Sequence, residues 1–144
     1  MTGKEIVDVA RTYIGTPWHH AARVKGVGID CSGLLIMVSQ DLGIPVEDEL
    51  SYTENDEIEL MTSGILKHCR QLGEEETSQD GDLFVFRQLP IMYNHCGIFV
   101  EPNAMVHAWR TSGVNKVVES RLDEAWTNRV LARYRYKEVK TSRL

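Results

Sequence analysis

The stretch Gly28-Ile29-Asp30-Cys31-Ser32-Gly33-Leu34-Leu35 decides how the rest of the chain is read. Leu35, Val38 and Leu42 follow Cys31 at spacings of four, seven and eleven residues, which is one face of a helix. Gly43 and Pro45 supply the stop. Asp30 is an N-cap candidate, so Cys31 falls on the first helical residue. A thiol there sits against unpaired backbone N–H groups and the positive end of the helix dipole. Both favour the thiolate, the form that attacks carbonyls. Small Ser32 and Gly33 leave room for a substrate to reach that end. On this stretch alone a nucleophile and a buried structural cysteine stand level, because free cysteine is often buried.

Upstream, residues 3–14 read as a helix, with Ile6, Val9, Ala10 and Tyr13 recurring at three- and four-residue steps. Gly15-Thr16-Pro17 ends it, and Arg23 to Gly28 reads as loop. Downstream, Glu47 to Glu59 holds seven acids, read as a solvated surface because the order of a calcium loop is missing. A further helix is expected from about Ile58 to Gln71, with Leu60, Met61, Ile65 and Leu66 on its buried side.

The second half changes character. Leu83 to Phe86 is a short strand buried on both faces. Strands follow over Tyr93–Val100, Ala104–Trp109 and Val114–Glu119, and a short helix is expected from a Ser120 cap to Trp126. Val130 to Tyr136 alternates as a half-exposed strand. Helices first and antiparallel strands after is an α+β order, and with no linker or repeat the 144 residues are read as one domain, 1–144.

Composition narrows the function classes. Hydrophobic content of 42% and charged content of 26% fit a globular chain, and a net charge of −5 argues against nucleic acid as a partner. No window approaches the ~18 apolar residues of a membrane span. Met1 to Arg11 mixes Lys4, Glu5 and Asp8 with apolar residues, so no signal peptide is read there. Three cysteines with no C-x-x-C pair describe neither a disulfide framework nor a zinc ribbon. The basic run Arg129 to Arg143 is read as balancing the acidic stretch, with an acidic partner as the alternative.

Two of the five histidines are usefully placed. His95, Gly97 and Phe99 share one face of their strand, and Met105, His107 and Trp109 share one face of the next. A hairpin turning on 100–102 sets His95 opposite His107, and one turning on 101–103 makes them diagonal neighbours. Either register brings the imidazoles within reach. Cys31, His95 and His107 then meet the description of nucleophile, base and orienting group. Two other readings of the same spacing stay open: a pair of half-exposed strand histidines, and a zinc site using Cys31, His95, His107 and Cys96.

Four pieces in order, Asp30-Cys31-Ser32-Gly33-Leu34, Gly81-Asp82-Leu83, His95-Cys96-Gly97-Ile98 and Val106-His107-Ala108, closely resemble the NlpC-type (NlpC/P60) cell-wall peptidases. The resemblance implies a papain-like fold, with the nucleophile helix packed on a five- or six-stranded antiparallel sheet. It implies Cys31 as nucleophile, His95 as base and His107 as third member. It also implies hydrolysis of peptidoglycan stem peptides, at the bond between D-γ-glutamate and diaminopimelate, with no metal or organic cofactor. Gly15-Thr16-Pro17-Trp18-His19-His20-Ala21-Ala22 departs from the family's G-T-P-Y-x-W-G-G. Trp18 stands where that family has a Tyr near the active site, and Ala21-Ala22 stands for Gly-Gly.

The Trp-His-His run resembles the phage- and prophage-encoded branch. Expected substrate-binding residues are Trp18, His20, Ser32 and Gly33, with a hydrophobic wall as the other role for Trp18 and a structural one for His20. The partner expected is a peptidoglycan peptide, with a phage tail or an immunity protein as further candidates. The place of action expected is the bacterial cell wall after synthesis in the cytoplasm, with a virion as the other option. Two other functions on the same fold are an inactive structural tail-tip component and an acyltransferase or amidase with a different substrate.

Overall fold

The computed structural model describes residues 1–48, 64–87, 94–111 and 113–140. Two helices lie on one face of a six-stranded sheet, which is the expected α+β architecture. Helix α1 spans Gly3–Arg11 and is capped by Thr2, whose hydroxyl accepts from the Glu5 N–H. It ends three residues short of the expected boundary. Helix α2 spans Cys31–Asp41, with Asp30 as N-cap accepting from the Gly33 N–H. Gly43, at φ +82°, takes the left-handed turn that stops it.

Between the helices, β1 (Arg23–Val24) and β2 (Gly28–Ile29) form a small antiparallel hairpin inside the segment expected to be loop. The main sheet is built from β3 (Cys69–Gln71), β4 (Leu83–Arg87), β5 (Asn94–Val100), β6 (Ala104–Trp109), β7 (Lys116–Arg121) and β8 (Val130–Tyr136). Their order is β3-β8-β4-β5-β6-β7 and every neighbouring pair is antiparallel. A four-residue helix α3 (Glu124–Thr127) joins β7 to β8.

Two sequence expectations are corrected here. The helix over 58–71 gives way at its described end to a 3-10 turn, Leu66–His68, and strand β3. β3 pairs with Tyr134–Tyr136, sixty-odd residues away, so no local pattern announces it. The remainder of that helix, most of the acidic stretch and Tyr93 lie outside the described residues. The helix cap expected at Ser120 belongs instead to Asp123, whose carboxylate accepts from the Trp126 N–H at 3.0 Å, and Ser120 is a β7 residue.

The sheet has two different faces. Toward the helices, Leu83, Val85, Cys96, Ile98, Val100, Val106, Ala108 and Val117 pack with Ile6, Ala10, Leu34, Leu35 and Val38. Burying each Val, Leu or Ile among these contributes ~1.5–3 kcal/mol. On the other face Phe84, Phe86, Phe99, Met105 and Leu122 cluster with Trp126 and Val130. β4 is therefore covered on both sides, as its unbroken apolar run requires. The basic strand β8 has a specific task. Arg135 forms a two-pronged ion pair with the buried Asp82, at 2.8 and 2.9 Å, and Arg133 donates to the Glu76 and Gly73 carbonyls and to Ser78 Oγ. These two arginines fasten the loop before β4.

Candidate active site

The β5–β6 pairing, Ile98 to Val106 and Val100 to Ala104, is the register that makes His95 and His107 diagonal neighbours on one face. Their rings meet. His95 Nε2 and His107 Nδ1 are 2.7 Å apart, and His107 Nε2 is 2.7 Å from Ser120 Oγ. Gly97 makes this possible, because a Cβ there would sit 2.9 Å from Met105 Sδ and 3.2 Å from His107 Cβ. The glycine of His-x-Gly thus yields the space that the second histidine fills.

An aromatic box closes around the pair. The His95 ring centroid lies 5.2 Å from that of Trp109, 5.5 Å from Trp126 and 6.3 Å from Phe86. His95 is 3% exposed and His107 1%. Burial drives the His95 pKa well below its usual value, and the neighbouring His107 adds to the effect. Burial alone pushes His107 down to about 4. Both rings are consequently neutral at neutral pH, the state a general base needs before it takes a proton. The bond to His107 uses Nε2 of His95 and leaves Nδ1 as the nitrogen for a substrate or a thiol.

Cys31 reaches the same end of the sheet by another route. The Ile29 N–H donates to the Pro17 carbonyl, the Trp18 N–H donates to Asn115, and Pro17 bridges to Lys116. Lys116 pairs with Trp109, which the β5–β6 register sets opposite His95. The first turn of α2 therefore lies at the end of the sheet where β5 begins and β6 finishes. α2 packs on β5 and β6, and Cys31 is 4% exposed at its first position.

The other two cysteines are buried free thiols. Burial pushes Cys69 up to about 12, which makes it inert as a nucleophile. Cys96 points to the helix face, away from the imidazoles, so alternation removes it from any donor set with His95. Among the described residues no group of three or more His, Cys, Asp or Glu side chains is arranged to hold a metal ion.

The start of α2 is held by a buried charge network. Asp30 is fully buried and accepts from the Gly33 and Ala21 N–H groups at 2.8 and 2.6 Å. It pairs with Arg23 at 2.9 Å and lies 3.2 Å from Ser32 Oγ, while Arg23 also bonds Asp48. Ser32 and Gly33 are part of this network. Ser32 is 1% exposed, and a Cβ on Gly33 would meet Arg23 Nη1 at 2.6 Å. Their smallness makes room for the Arg23–Asp30 pair. Ala21 takes φ +56°, a left-handed conformation that suits the glycine of the resembled motif better than an alanine. Trp18 is half-buried under the Arg110 guanidinium, 4.6 Å from its ring centre, and His20 is half-buried in the neighbouring turn.

Sequence reasoning missed Ser120, Trp126 and the Arg23–Asp30 pair. Strand pairing points to Ser120 only once the competing helix cap at that residue is given up. Carrying β7 through residue 121 in its hairpin with β6 pairs His107 with Val118 and Met105 with Ser120, so Ser120 is diagonal to His107.

The sequence model of the NlpC/P60 family matches residues 15–135. Among curated proteins no sequence matches the chain. Solved structures that it resembles include an NLP/P60-family protein similar to lipoproteins from Staphylococcus aureus, with a TM-score of 0.67 and 21% identity over 96% of this chain and 42% of that one. The peptidoglycan hydrolase RipB from Mycobacterium tuberculosis gives a TM-score of 0.65 and 16% identity over 96% of this chain and 65% of that one. RipD from the same organism, described as a non-catalytic NlpC/p60 domain protein adapted to peptidoglycan binding, gives 0.62 and 14% over 95% and 97%. The chain spans less than half the length of the S. aureus protein. None of these three is described as a phage protein.

Proposed function

Because this chain belongs to the NlpC/P60 family, we propose that it is a cysteine peptidase that cleaves the stem peptides of bacterial peptidoglycan, between D-γ-glutamate and diaminopimelate. The observation that carries the reading is the buried, neutral His95–His107 pair, bonded through Nε2 of His95 at 2.7 Å. In the proposed reaction the Cys31 thiol gives its proton to His95 Nδ1 and the sulfur attacks the scissile carbonyl. The helix N-terminus favours the thiolate, and the Cys31 backbone N–H donates to the oxyanion. His95 then returns the proton to the leaving amine. Water, deprotonated by the same nitrogen, releases the acyl group from sulfur.

Trp18 and Arg110 form one wall of the proposed substrate approach. Binding without cleavage, the role ascribed to RipD, is the second reading, and RipD resembles this chain over almost its whole length. Retention of Cys31, His95 and His107 favours catalysis, since a binding surface has no use for a buried imidazole pair.

The test is digestion of purified diaminopimelate-containing muropeptides, read by mass spectrometry, with Cys31→Ala beside the wild type. The expected result is new fragments whose masses place the cut after D-γ-glutamate, with a loss on the order of 10⁴ in the variant. Equal turnover by the two proteins sinks the mechanism. Binding of intact sacculi without fragments from either protein would establish the second reading.

A further inference from the structure

The bond between D-γ-glutamate and diaminopimelate sets a charge problem. Linkage through the γ-carboxyl leaves the α-carboxylate of the glutamate free, a few bonds from the scissile carbonyl and ionised at neutral pH. A carboxylate that leaves water needs a cation or several donors to replace its hydration. The reacting groups supply no cation. Burial keeps the His95–His107 pair neutral at rest, and a Cys31 thiolate is itself negative. The second negative charge has to be met from the walls of the site.

Two positively charged residues stand at the end of the sheet that the first turn of α2 reaches. Arg110 directly follows β6, whose last residue, Trp109, has its ring 5.2 Å from that of His95. The Arg110 guanidinium lies over Trp18, 4.6 Å from the ring centre. Trp18 is in turn bridged to Ile29, two residues before Cys31. One member of the stack is thus tied to the strand beside the base, and the other to the segment that brings in the nucleophile. Lys116 pairs with Trp109 across β6 and β7, so its side chain leaves the sheet on the face of the histidines. Both Arg110 and Lys116 are exposed, and Arg110 is the one held by a ring. A guanidinium stacked in this way keeps its N–H donors in its own plane, directed past the ring edge, in the fork that fits a carboxylate. Indole holds a cation better than phenol does, which gives a reason for Trp18 where the resembled motif has a Tyr.

We propose that Arg110, held on Trp18, is a specificity-determining residue that binds the free α-carboxylate of the D-γ-glutamyl residue, so that stem peptides with this group amidated are disfavoured. This deepens the stem-peptide reading above and rests on it. A carboxamide has no charge and one acceptor oxygen where the carboxylate has two. Its NH2 turns donors toward a guanidinium that has only donors. The α-carboxylate takes no part in bond breaking, so Arg110 holds it equally in the bound substrate and in the transition state. The effect therefore belongs in KM and leaves kcat alone.

The experiment compares a diaminopimelate-containing muropeptide with the same muropeptide carrying a carboxamide in place of the D-glutamate α-carboxylate. Binding is titrated on Cys31→Ala protein, which does not turn them over, and cleavage is followed on protein that keeps Cys31. The carboxylate form is expected to bind about tenfold more tightly and to show a KM lower by the same factor. That is the low end for a charge-assisted pair, because Arg110 is exposed. Arg110→Gln is expected to erase the preference, raising Kd and KM for the carboxylate form alone, with kcat kept and the carboxamide form within twofold. Arg110→Lys keeps the charge without the fork and is expected to keep part of the preference. Equal affinity of Cys31→Ala protein for the two forms, or binding of neither, overturns the proposal. An equal loss on both forms in Arg110→Gln also overturns it, since Arg110 would then be wall and not charge recognition. If neither form is cut but the carboxylate form is still preferred through Arg110, the peptidase reading fails and the recognition stands.

Discussion

Two buried polar networks lie toward the end of the sheet that the first turn of α2 reaches, and they are built on opposite principles. The Asp30 network is charged. A fully buried carboxylate is met by Arg23, two backbone N–H groups and a serine hydroxyl, so each of its oxygens is engaged. The His95 network is neutral, three groups joined end to end and wrapped in aromatic rings. A charged hub holds its partners in one arrangement and resists change. A neutral chain costs little to bury and can pass a proton. The first fixes where α2 begins, and the second is the network able to carry a proton. The division shows why a cysteine flanked by an aspartate need not use it.

The sharpest way to break this comparison is a pair of substitutions read on two scales. Removing Asp30 with Asp30→Ala takes the fully buried carboxylate from Arg23, leaving it Asp48, and takes the cap from α2. Chemical denaturation should show a loss of ~3–5 kcal/mol, with activity falling because less protein is folded. His95→Asn should do the reverse, lowering muropeptide turnover by about 10⁴ while stability moves by no more than ~1–2 kcal/mol. Equal stability losses in the two would mean that both networks are scaffolding.

A smaller effect separates them by pH. Both histidines titrate below their unfolded value, so the unfolded chain binds more protons between about pH 6.5 and the folded pKa, which for His107 is about 4. Stability from this source is complete above pH 6.5 and falls as the pH drops through that window, by ~1.4 kcal/mol per pH unit for each histidine. In His107→Gln the slope of unfolding free energy against pH over 4.5–6 should shrink by about that amount. A slope the same as in the wild type would mean that His107 is already protonated in the folded state.

The smallest effect tests the backbone beside the charged hub. Ala21 holds φ +56° with its N–H on Asp30. Ala21→Gly should raise the unfolding free energy by ~0.5–1 kcal/mol and leave turnover alone, since strain is relieved at a residue with no part in the reaction. A loss of stability would show that the alanine methyl is worth more in packing than its backbone costs.

How far these networks could be read beforehand follows from their geometry. Asp30 and Cys31 were legible because a cap and a first helical residue are local. That His95 and His107 share a face within reach of each other was legible from strand alternation and a short hairpin, while the diagonal register was one of two left open. Ser120 was not legible, because Ser-x-x-Asp ahead of Trp126 carries the pattern of a capping box, and only the actual cap at Asp123 resolves the competition. The approach of Arg23 to Gly33 was not legible either, because the spacing says nothing of a side chain that folds back from the β1–β2 hairpin. β3 was lost for the same reason, its partner lying far along the chain. Contacts within one element or one hairpin are written into periodicity, whereas those between distant segments are not.

The position of β8 has a consequence for how the molecule comes into being. β4 to β7 form a meander of consecutive neighbours that can pair as they leave the ribosome, bringing His95, His107 and Ser120 together early. β3 has no strand to join until residues 130–136 emerge and slot between it and β4, carrying Arg133 and Arg135 to the loop before β4. Synthesis therefore lays down the proton-carrying groups first and the clamp on Asp82 last. A nascent chain stalled short of Val130 would carry its imidazole pair on an unfinished sheet with an open edge at β4.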